Sequence, residues 1–291
     1  MTRPDMRAAD APQPLEAADF ETFRTLLLQR SGLVVTPDKQ YLLESRLAAV
    51  ARRWRLDSLA ALAAAIRMQR NADLVRDVVE AMTTNETSFF RDQKPFDQFR
   101  HSVLPALLRS RAQTRRIRIW SAACSSGQEA YSLAMMLSEE EARLSGWTVE
   151  IVGTDISAEM VAKASAGLYS QFEVQRGLPI AMLVKHFRQI GEKWQIAEAL
   201  RARVRFRQFN LLEPPANLGA FDVVFCRNVL IYFDMATKAG VLDGIAGVLA
   251  PDGFLQLGAA ETMLGISQRF QQLDGQRGLY VAARAPLRAA G

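Results

Sequence analysis

The sequence predicts an α/β protein in which a doubly wound, mainly parallel sheet follows an all-α N-terminal domain. Two observations predict this class: residues 17–81 show helical periodicity throughout, whereas from Arg115 onward short apolar strands alternate with helices. The third observation is the long stretch at 169–200, between the second and third strands. It exceeds a bare loop in a compact domain, so it predicts a small subdomain inserted at about residues 169–202.

Two apolar faces predict the first helices of the N-terminal domain, which we assign to residues 16–82. Further helices are predicted to open at Asp57-Ser58 and at Asn71-Ala72-Asp73, where polar capping residues precede apolar ones. Residues 1–15, with three prolines and few large apolar side chains, are predicted to form a disordered tail. The apolar faces consist of Phe23, Leu26 and Leu27 in one helix and of Leu43, Leu47, Val50 and Trp54 in the next.

The α/β domain is assigned to residues 101–291, after a linking segment at 83–100. The turn at Pro251-Asp252-Gly253 is expected to launch its fifth strand, and segments 270–273 and 279–283 are expected to complete the sheet as an antiparallel hairpin. The five strands are predicted at residues 116–121, 149–154, 204–209, 221–226 and 253–258, with helices at 128–144, 158–166 and 235–249.

Composition excludes several classes of protein. Of the 291 residues, 49% are apolar and 23% are charged, which is ordinary for a globular protein. No apolar run approaches the ~20 residues of a membrane span and no secretory signal is evident, so we expect a cytoplasmic protein without membrane insertion. Cys124 and Cys226 are then expected to be reduced thiols, with a disulfide as the minority alternative. Because only His101 and His186 accompany them, without ligand spacing, no metal site is predicted.

The net charge of +5 is concentrated in one part of the helical domain. Between Lys39 and Arg70 there are seven basic residues and two acidic ones, and seven minus two equals the whole excess. Lys39, Arg46 and Arg53 recur every seven residues and therefore share one stripe of a helix. A solvated helix surface is the usual meaning of such charge, but its concentration here favours docking onto an acidic partner.

Polar residues follow four of the predicted strands, at the edge where an open α/β sheet binds its ligand. Asp155 ends the second strand, where it either accepts hydrogen bonds from two ribose hydroxyls or caps a turn. The first strand leads into a loop of small residues at 121–127, which allows close backbone approach, and then to Glu129 at a helix start. For Asn210, an Asx turn is the alternative to a ligand contact. The pairs after the third and fourth strands are Asn210-Leu211 and Arg227-Asn228.

The segment T-T-N-E-T-S-F-F-R-D at residues 83–92 combines polar residues with a pair of phenylalanines and a charged end. One interpretation is a hydrophobic plug, in which Phe89 and Phe90 enter the core. The other interpretation is a lid, in which Asn85, Thr87 and Arg91 contact a ligand.

In this order and spacing, these motifs resemble the CheR family of chemotaxis-receptor protein-glutamate O-methyltransferases. The resemblance covers roughly residues 20–281, and its most specific segments are T-N-x-T-x-F-F-R and F-C-R-N-V-L-I-Y-F. It implies a Rossmann-like fold that binds S-adenosylmethionine (SAM), releases S-adenosylhomocysteine (SAH) and esterifies glutamates on the cytoplasmic helices of chemoreceptors for sensory adaptation. The SAM contacts that it implies are Asn85, Thr87, Arg91, Glu129, Asp155, Asn210, Leu211, Arg227 and Asn228.

Several finer expectations accompany the resemblance. A glutamate side chain is ionised at neutral pH, so methyl transfer to it needs alignment and desolvation but no general base. Arg91 and Tyr232 are the candidates for positioning it. The stretch at 186–200 is shorter than in members whose insert binds a receptor C-terminal pentapeptide, so we expect methylation that is independent of such a tether. We also expect a monomer.

Two other functions stay open at the level of sequence. A nucleic-acid methyltransferase would suit the basic helices, but R-N-V-L at 227–230 replaces the N-P-P-Y type of segment, so no nucleic-acid partner is expected. A non-catalytic module that senses SAM or SAH would carry the same ligand residues.

Overall fold

The computed structural model describes residues 15–68 and 71–283. The predicted tail before Leu15, Arg70 of the basic stretch and residues 284–291 of the α/β domain lie outside these ranges. The chain divides after Thr83 into two compact units, which we treat separately. Among the helices of the described part, none is long and apolar enough to cross a membrane.

In the described part of the first unit, four α-helices pack through their apolar faces and make its core, and a 3₁₀ turn at Pro37–Lys39 precedes the second of them. Phe23, Leu43 and Leu47 are fully buried, as the periodicity predicts. The side chain of Ser58 caps the third helix and that of Asn71 caps the fourth, which confirms the predicted helix starts. The helices are α1 (Ala17–Ser31), α2 (Gln40–Arg53), α3 (Leu59–Arg67) and α4 (Ala72–Met82).

The second unit is built on a mixed sheet, which confirms the predicted α/β class. Its strands are β1 (Arg116–Ala122), β2 (Thr148–Asp155), β3 (Leu168–Ser170), β4 (Phe187–Ile190), β5 (Lys193–Ile196), β6 (Val204–Gln208), β7 (Phe221–Cys226), β8 (Leu249–Leu257), β9 (Phe270–Gln272) and β10 (Leu279–Ala282). Seven of them form one sheet in the order β6-β2-β1-β7-β8-β10-β9. The first five in this order are parallel, and β10 runs antiparallel to β8 and β9, as the predicted closing hairpin requires.

Alternate residues of the central strands enter two separate apolar clusters. In β1, Ile119 belongs to one cluster and Trp120 to the other, and β7 divides Val223 and Val224 in the same way. Successive side chains of a strand point to opposite faces, so the sheet is buried on both sides.

The helices of this unit are α5 (Lys94–Gln98), α6 (Leu104–Ser110), α7 (Gln128–Glu139), α8 (Ala158–Ala166), α9 (Gln171–Gln175), α10 (Ile180–His186), α11 (Glu198–Arg201) and α12 (Met235–Val248).

Two predicted boundaries are wrong by more than one residue, and each of these errors has a local cause. The helix predicted at 128–144 ends at Glu139, because the run Glu139-Glu140-Glu141 places negative charge where the helix dipole disfavours it. The strand predicted to begin at Gly253 begins at Leu249 instead. The predicted turn is accommodated as a bulge inside β8, since the register against β7 shifts at that point.

The expected linking segment is also partly regular. Residues 94–103 form α5 and a π-helical turn, and Phe96 and Phe99 from them are buried in the core beside Phe225. Of the expected linking segment, the part that belongs to the second unit and has irregular backbone is therefore residues 84–93, which we call the lid segment.

The predicted insert is present as a small antiparallel sheet, β3-β5-β4, flanked by α9, α10 and α11. It packs directly on the lid segment. The buried ring of Phe89 meets Tyr169 edge-on with 5.1 Å between ring centroids, and Phe187 with 5.6 Å. Glu86 of the lid segment also forms an ion pair with Arg176. The insert and the sheet together therefore hold the lid segment in place.

Replacing Gly177 with alanine should loosen this contact. Gly177 has a φ of +85°, and a methyl group there would overlap the carbonyl oxygen of Phe89. The overlap should lower the free energy of unfolding, measured by chemical denaturation, by about 2 kcal/mol beyond the backbone cost of the positive φ. Gly191→Ala is the matched control, because Gly191 has a φ of +59° in the same insert but no atom within 4 Å of the added carbon. Equal losses in the two variants would contradict the close packing.

Candidate active site

Three central strands end at the same edge of the sheet and bring predicted site residues together. In the register of β1, Ala122 lies beside Thr154 of β2 and Cys226 of β7. The next residues are Asp155, the last residue of β2, and Arg227, the first residue after β7, so both lie at the edge where parallel α/β sheets bind ligands.

Asp155 is buried between the loops that follow β1 and β2. One carboxylate oxygen accepts a 2.8 Å hydrogen bond from the Ser125 backbone N–H, and the other accepts one of 3.0 Å from that of Ser157. The turn role that the sequence offered as an alternative is therefore present. A carboxylate is the type of acceptor that ribose hydroxyl donors require, so the chemistry of Asp155 also suits the ligand role.

The loop after β1 turns sharply. Ala123, Ser125 and Gly127 have φ values of 57°, 50° and 91°. A Cβ on Gly127 would lie 2.9 Å from the Cβ of Ala164, so a side chain cannot be accommodated there. Ala123 and Ser125 adopt the left-handed conformation at a cost of about 1–2 kcal/mol each. The loop therefore turns with a single glycine, and for this reason its sequence lacks a glycine-rich fingerprint.

Arg227 is the centre of an ion-pair network at this edge. Its Nη1 donates a 2.8 Å hydrogen bond to Glu129, whose other oxygen accepts one of 2.8 Å from Ser121 Oγ. Its Nη2 donates to Asp92 at 2.8 Å and to the backbone carbonyl of Arg91 at 2.9 Å. The side chain of Arg227 is only 2% exposed. It therefore joins the lid segment to the first turn of α7.

The lid segment shows features of both interpretations that the sequence allowed. Phe89 and Phe90 are buried, as in a plug. The backbone carbonyl of Asn85 accepts a 2.8 Å hydrogen bond from Ser125 Oγ, which ties the polar half to the loop after β1. Thr87 is half-buried, and Arg91 Nη1 donates a 2.9 Å hydrogen bond to the Glu86 carbonyl. Asn85 thus lies beside the same loop that Asp155 holds, whereas the side chain of Arg91 bonds within the lid segment.

The pairs after β6 and β7 have defined local roles. Asn210 Oδ1 accepts a 3.1 Å hydrogen bond from the Leu212 backbone N–H, which is the Asx turn that the sequence offered as an alternative. Leu211 is half-buried against the second apolar cluster. Asn228 has a left-handed φ of 59°. Tyr232 ends a short 3₁₀ turn and packs on the same cluster as Leu211.

Neither cysteine is a nucleophile in this site. Cys124 and Cys226 are free and fully buried, as the prediction of reduced thiols requires. Burial raises the pKa of both thiols well above the usual range, and the charges of Asp155 and Glu129 raise that of Cys124 further. Both thiols are therefore neutral at physiological pH. No group of three or more metal-ligating side chains converges within residues 15–68 and 71–283.

The basic stripe lies in the helical unit. Lys39 and Arg53 are exposed, and Arg53 forms only a 3.3 Å ion pair with Asp77. Arg46 is half-buried, and its Nη1 donates hydrogen bonds of 2.9 and 3.1 Å to the carbonyls of Met82 and Thr83 at the end of α4. Arg46 is thus partly a helix-capping residue rather than a purely exposed charge.

Sequence reasoning missed the residues that hold the site together. Asp92 closes the Arg227 network, and Ser125 bonds to both Asp155 and the lid segment. Glu261, in the segment after β8, was missed as well. Its buried carboxylate accepts backbone hydrogen bonds from the segment after β7. The sequence signal that could have identified Glu261 is an acidic residue shortly after Gly258, where an apolar strand is predicted to end.

The fold and the site define a SAM-dependent methyltransferase. Residues 85–279 match the family model described as CheR methyltransferase, SAM binding domain, and residues 18–83 match that of CheR methyltransferase, all-alpha domain. The chain belongs to the CheR methyltransferase family.

Curated relatives align with almost the whole chain. Chemotaxis protein methyltransferase 1 of Pseudomonas aeruginosa is 44% identical over 271 residues, which are 92% of this chain and 98% of that protein. Chemotaxis protein methyltransferase Cher2 of Pseudomonas putida is 41% identical over 270 residues, with coverages of 91% and 98%. Chemotaxis protein methyltransferase 1 of Vibrio cholerae is 39% identical over 264 residues, with coverages of 90% and 95%. The similarity therefore spans both units.

The cofactor of this enzyme is SAM, and the residues at the sheet edge fit it. The site offers the acidic acceptors Asp155 and Glu129 for hydroxyl and ammonium donors, beside a loop whose glycine cannot carry a side chain. Within the described residues, Nε of Arg227 is buried without a hydrogen-bond partner. A buried polar atom of this kind is typical of a site whose ligand supplies the acceptor.

Proposed function

We propose that this chain methylates glutamate side chains on the cytoplasmic helices of chemoreceptors and so resets receptor sensitivity. The observation that carries the proposal is the alignment of both units with chemotaxis protein methyltransferases, at 44% identity over 92% of the chain in one case. The chemistry of the site supports it. A γ-carboxylate with a pKa of ~4.3 is already ionised, and this site offers Arg227, Glu129 and Asp155 rather than a histidine base.

The residues take separate roles in this proposal. Asp155, Asn210 and Leu211 hold the nucleoside, while Glu129 binds the amino-acid end. Arg227 and Asn228 shape the site after β7, and Asn85, Thr87 and Arg91 close it from the lid segment. Bound SAM supplies a methyl group on a positively charged sulfur. The chain contributes alignment and water exclusion, through the two buried phenylalanines of the lid segment. Its two neutral thiols do not compete as nucleophiles.

Methyl transfer from radiolabelled SAM to receptor-containing membranes tests the function. Label on a receptor band that alkali releases as volatile methanol is the expected result, because carboxyl methyl esters are base-labile. Base-stable label would indicate a different acceptor. If SAM binds but no receptor takes up label, the chain is a ligand-sensing module instead.

We further propose that methylation by this enzyme needs no receptor C-terminal pentapeptide. In support, β4 and β5 are joined by Gly191 and Glu192 alone, so the insert has a minimal hairpin loop. Receptors truncated by five C-terminal residues should be methylated at the rate of intact ones. Tight binding of an isolated tail peptide in calorimetry would overturn this proposal. The enzyme is expected to act as a cytoplasmic monomer, which sedimentation at several protein concentrations would test.

Charge reversal of the basic stripe should impair methylation without touching the cofactor site. The double variant Lys39→Glu, Arg53→Glu changes the two exposed members of the stripe and leaves the capping bonds of Arg46 intact. We expect receptor methylation at low salt to fall about 10-fold or more, since steering by surface charge changes association rates by that order. SAH affinity and thermal stability should not change.

A matched reversal elsewhere in the same unit separates docking from net charge. Arg24→Glu, Arg76→Glu removes two exposed basic residues from outside the stripe, each of which pairs only with a neighbour in its own helix. This control should retain methylation. If both double variants lose it equally, net charge and not the stripe is responsible.

A further inference from the structure

Glu261 lies in the segment after β8, and its carboxylate accepts four backbone hydrogen bonds. Oε2 accepts from Gly258 at 2.7 Å and from Asn228 at 2.8 Å. Oε1 accepts from Val229 at 3.0 Å and from Leu230 at 2.8 Å. The residue is only 9% exposed. Three of these four donors belong to the segment after β7, which also carries Arg227.

This arrangement joins the ends of two neighbouring strands. Cys226 of β7 pairs in register with Leu257 of β8, so the segments that follow them leave the sheet side by side. A Cβ on Gly258 would lie 2.6 Å from Glu261 Oε2 and 3.0 Å from the Asn228 nitrogen, so the space between the segments is filled. We call this set of four hydrogen bonds the Glu261 clamp.

The clamp stabilises an unusual backbone. Asn228 has a left-handed φ of 59°, and the N–H groups of residues 228–230 point together at one acceptor. Converging N–H groups of this kind form an anion-binding concavity. Here the chain's own carboxylate occupies it, so the concavity serves to fix the segment and not to bind a ligand.

We propose that Glu261 is a positioning residue for the SAM site: it sets the backbone of Asn228 and thereby the direction of the Asn228 side chain and of Arg227. The inference rests on the proposed function only through the assignment of Asn228 and Arg227 to the cofactor. A site held within a fraction of an ångström by supporting hydrogen bonds binds without reorganising, and loses affinity when that support is removed.

Glu261→Gln is the sharpest test, because glutamine has the same shape and one fewer acceptor. Its amide nitrogen would face two backbone N–H donors, so at least two of the four bonds are lost. We expect SAH binding in calorimetry to weaken about 10- to 100-fold, in line with the cost of unpaired buried donors. Binding of SAH needs no receptor, so the result stands even if the methyl acceptor is not a receptor glutamate.

Glu150→Gln is the matched control for a general loss of stability. Glu150 accepts a 2.8 Å hydrogen bond from Arg118 near the start of β2, away from the site edge, and its side chain is 18% exposed. This variant should melt at a lower temperature than the wild type but bind SAH with unchanged affinity.

Glu261→Asp keeps the test decisive if the glutamine variant does not fold. Aspartate retains both oxygens on a shorter stem, so we expect faster hydrogen exchange at the amides of residues 228–230 and an SAH affinity between those of wild type and Glu261→Gln. A folded variant of either kind that exchanges faster at these amides yet binds SAH within twofold of wild type would overturn the proposal. Unchanged exchange at residues 228–230 would overturn it as well.

Discussion

Arg227→Met should lower methyl transfer by at least about 100-fold and reduce the free energy of unfolding by about 3 kcal/mol. The guanidinium bonds to Glu129 and Asp92 at 2.8 Å while its side chain is 2% exposed. Methionine keeps an apolar stem of similar length but leaves two carboxylates facing each other without their cation. The lid segment should then separate from α7, since Asp92 and the Arg91 carbonyl lose their shared donor.

Arg269→Met provides the control for this loss. Arg269 pairs with Asp243 at 3.4 Å, but the two side chains are 62% and 60% exposed. An exposed pair of this kind contributes about 0–1 kcal/mol, so stability and activity should stay near the wild-type values. Calorimetric SAH titration and denaturation of both variants would decide the matter. An Arg227→Met enzyme with full SAH affinity would remove Arg227 from the site.

Asp155→Asn should weaken SAH binding by about 100-fold, which corresponds to about 2.7 kcal/mol. The amide group of asparagine must turn its nitrogen towards either the Ser125 or the Ser157 backbone N–H, which the carboxylate now accepts at 2.8 and 3.0 Å. Either the loop after β1 or the segment after β2 then loses an anchor, and the site loses the negative charge that we propose to face the ribose hydroxyls. Both effects act on cofactor affinity.

Asp222→Asn separates this effect from the general cost of changing a buried aspartate. Asp222 accepts a 2.8 Å hydrogen bond from the Arg118 backbone N–H and one of 2.7 Å from Arg111, at the opposite end of the sheet. Its loss should reduce stability by about 1–3 kcal/mol. SAH affinity should nevertheless be retained. If both variants bind SAH equally poorly, the effect of Asp155→Asn is one of stability.

The regular elements could be predicted because their signal is local. Phe221–Cys226 and Ala158–Ala166 have the predicted bounds, since apolar alternation and a helix ended by Gly167 are visible within a few residues. The exceptions arise where pairing with an adjacent strand outweighs the local sequence preference. Pro251-Asp252-Gly253 has the composition of a turn, but pairing of Leu249 with Phe221 extends the strand ahead of it.

The site could be predicted only as far as strand ends carry polar residues. Strand ends point to Asp155 and Arg227, and the helix start after the first strand points to Glu129, whereas no local pattern points to the residues that these three contact. Glu261 meets Asn228 from 33 residues away, and Asp92 meets Arg227 from 135 residues away. Such pairs depend on strand order, and no pattern near either residue specifies them. Arg46 is also bonded to residues that are distant in the sequence. Its periodicity predicts a surface charge, but its acceptors lie 36 and 37 residues further along the chain.

The ring of Phe89 bears on how this enzyme can be re-engineered. The ring is fully buried and contacts both Tyr169 and Phe187, so the insert and the lid segment share one aromatic cluster. Exchanging the insert with that of a homologue would therefore change the packing of the lid segment at the same time. A chimaera must therefore carry the residue at position 89 together with its insert, so that these ring contacts are preserved.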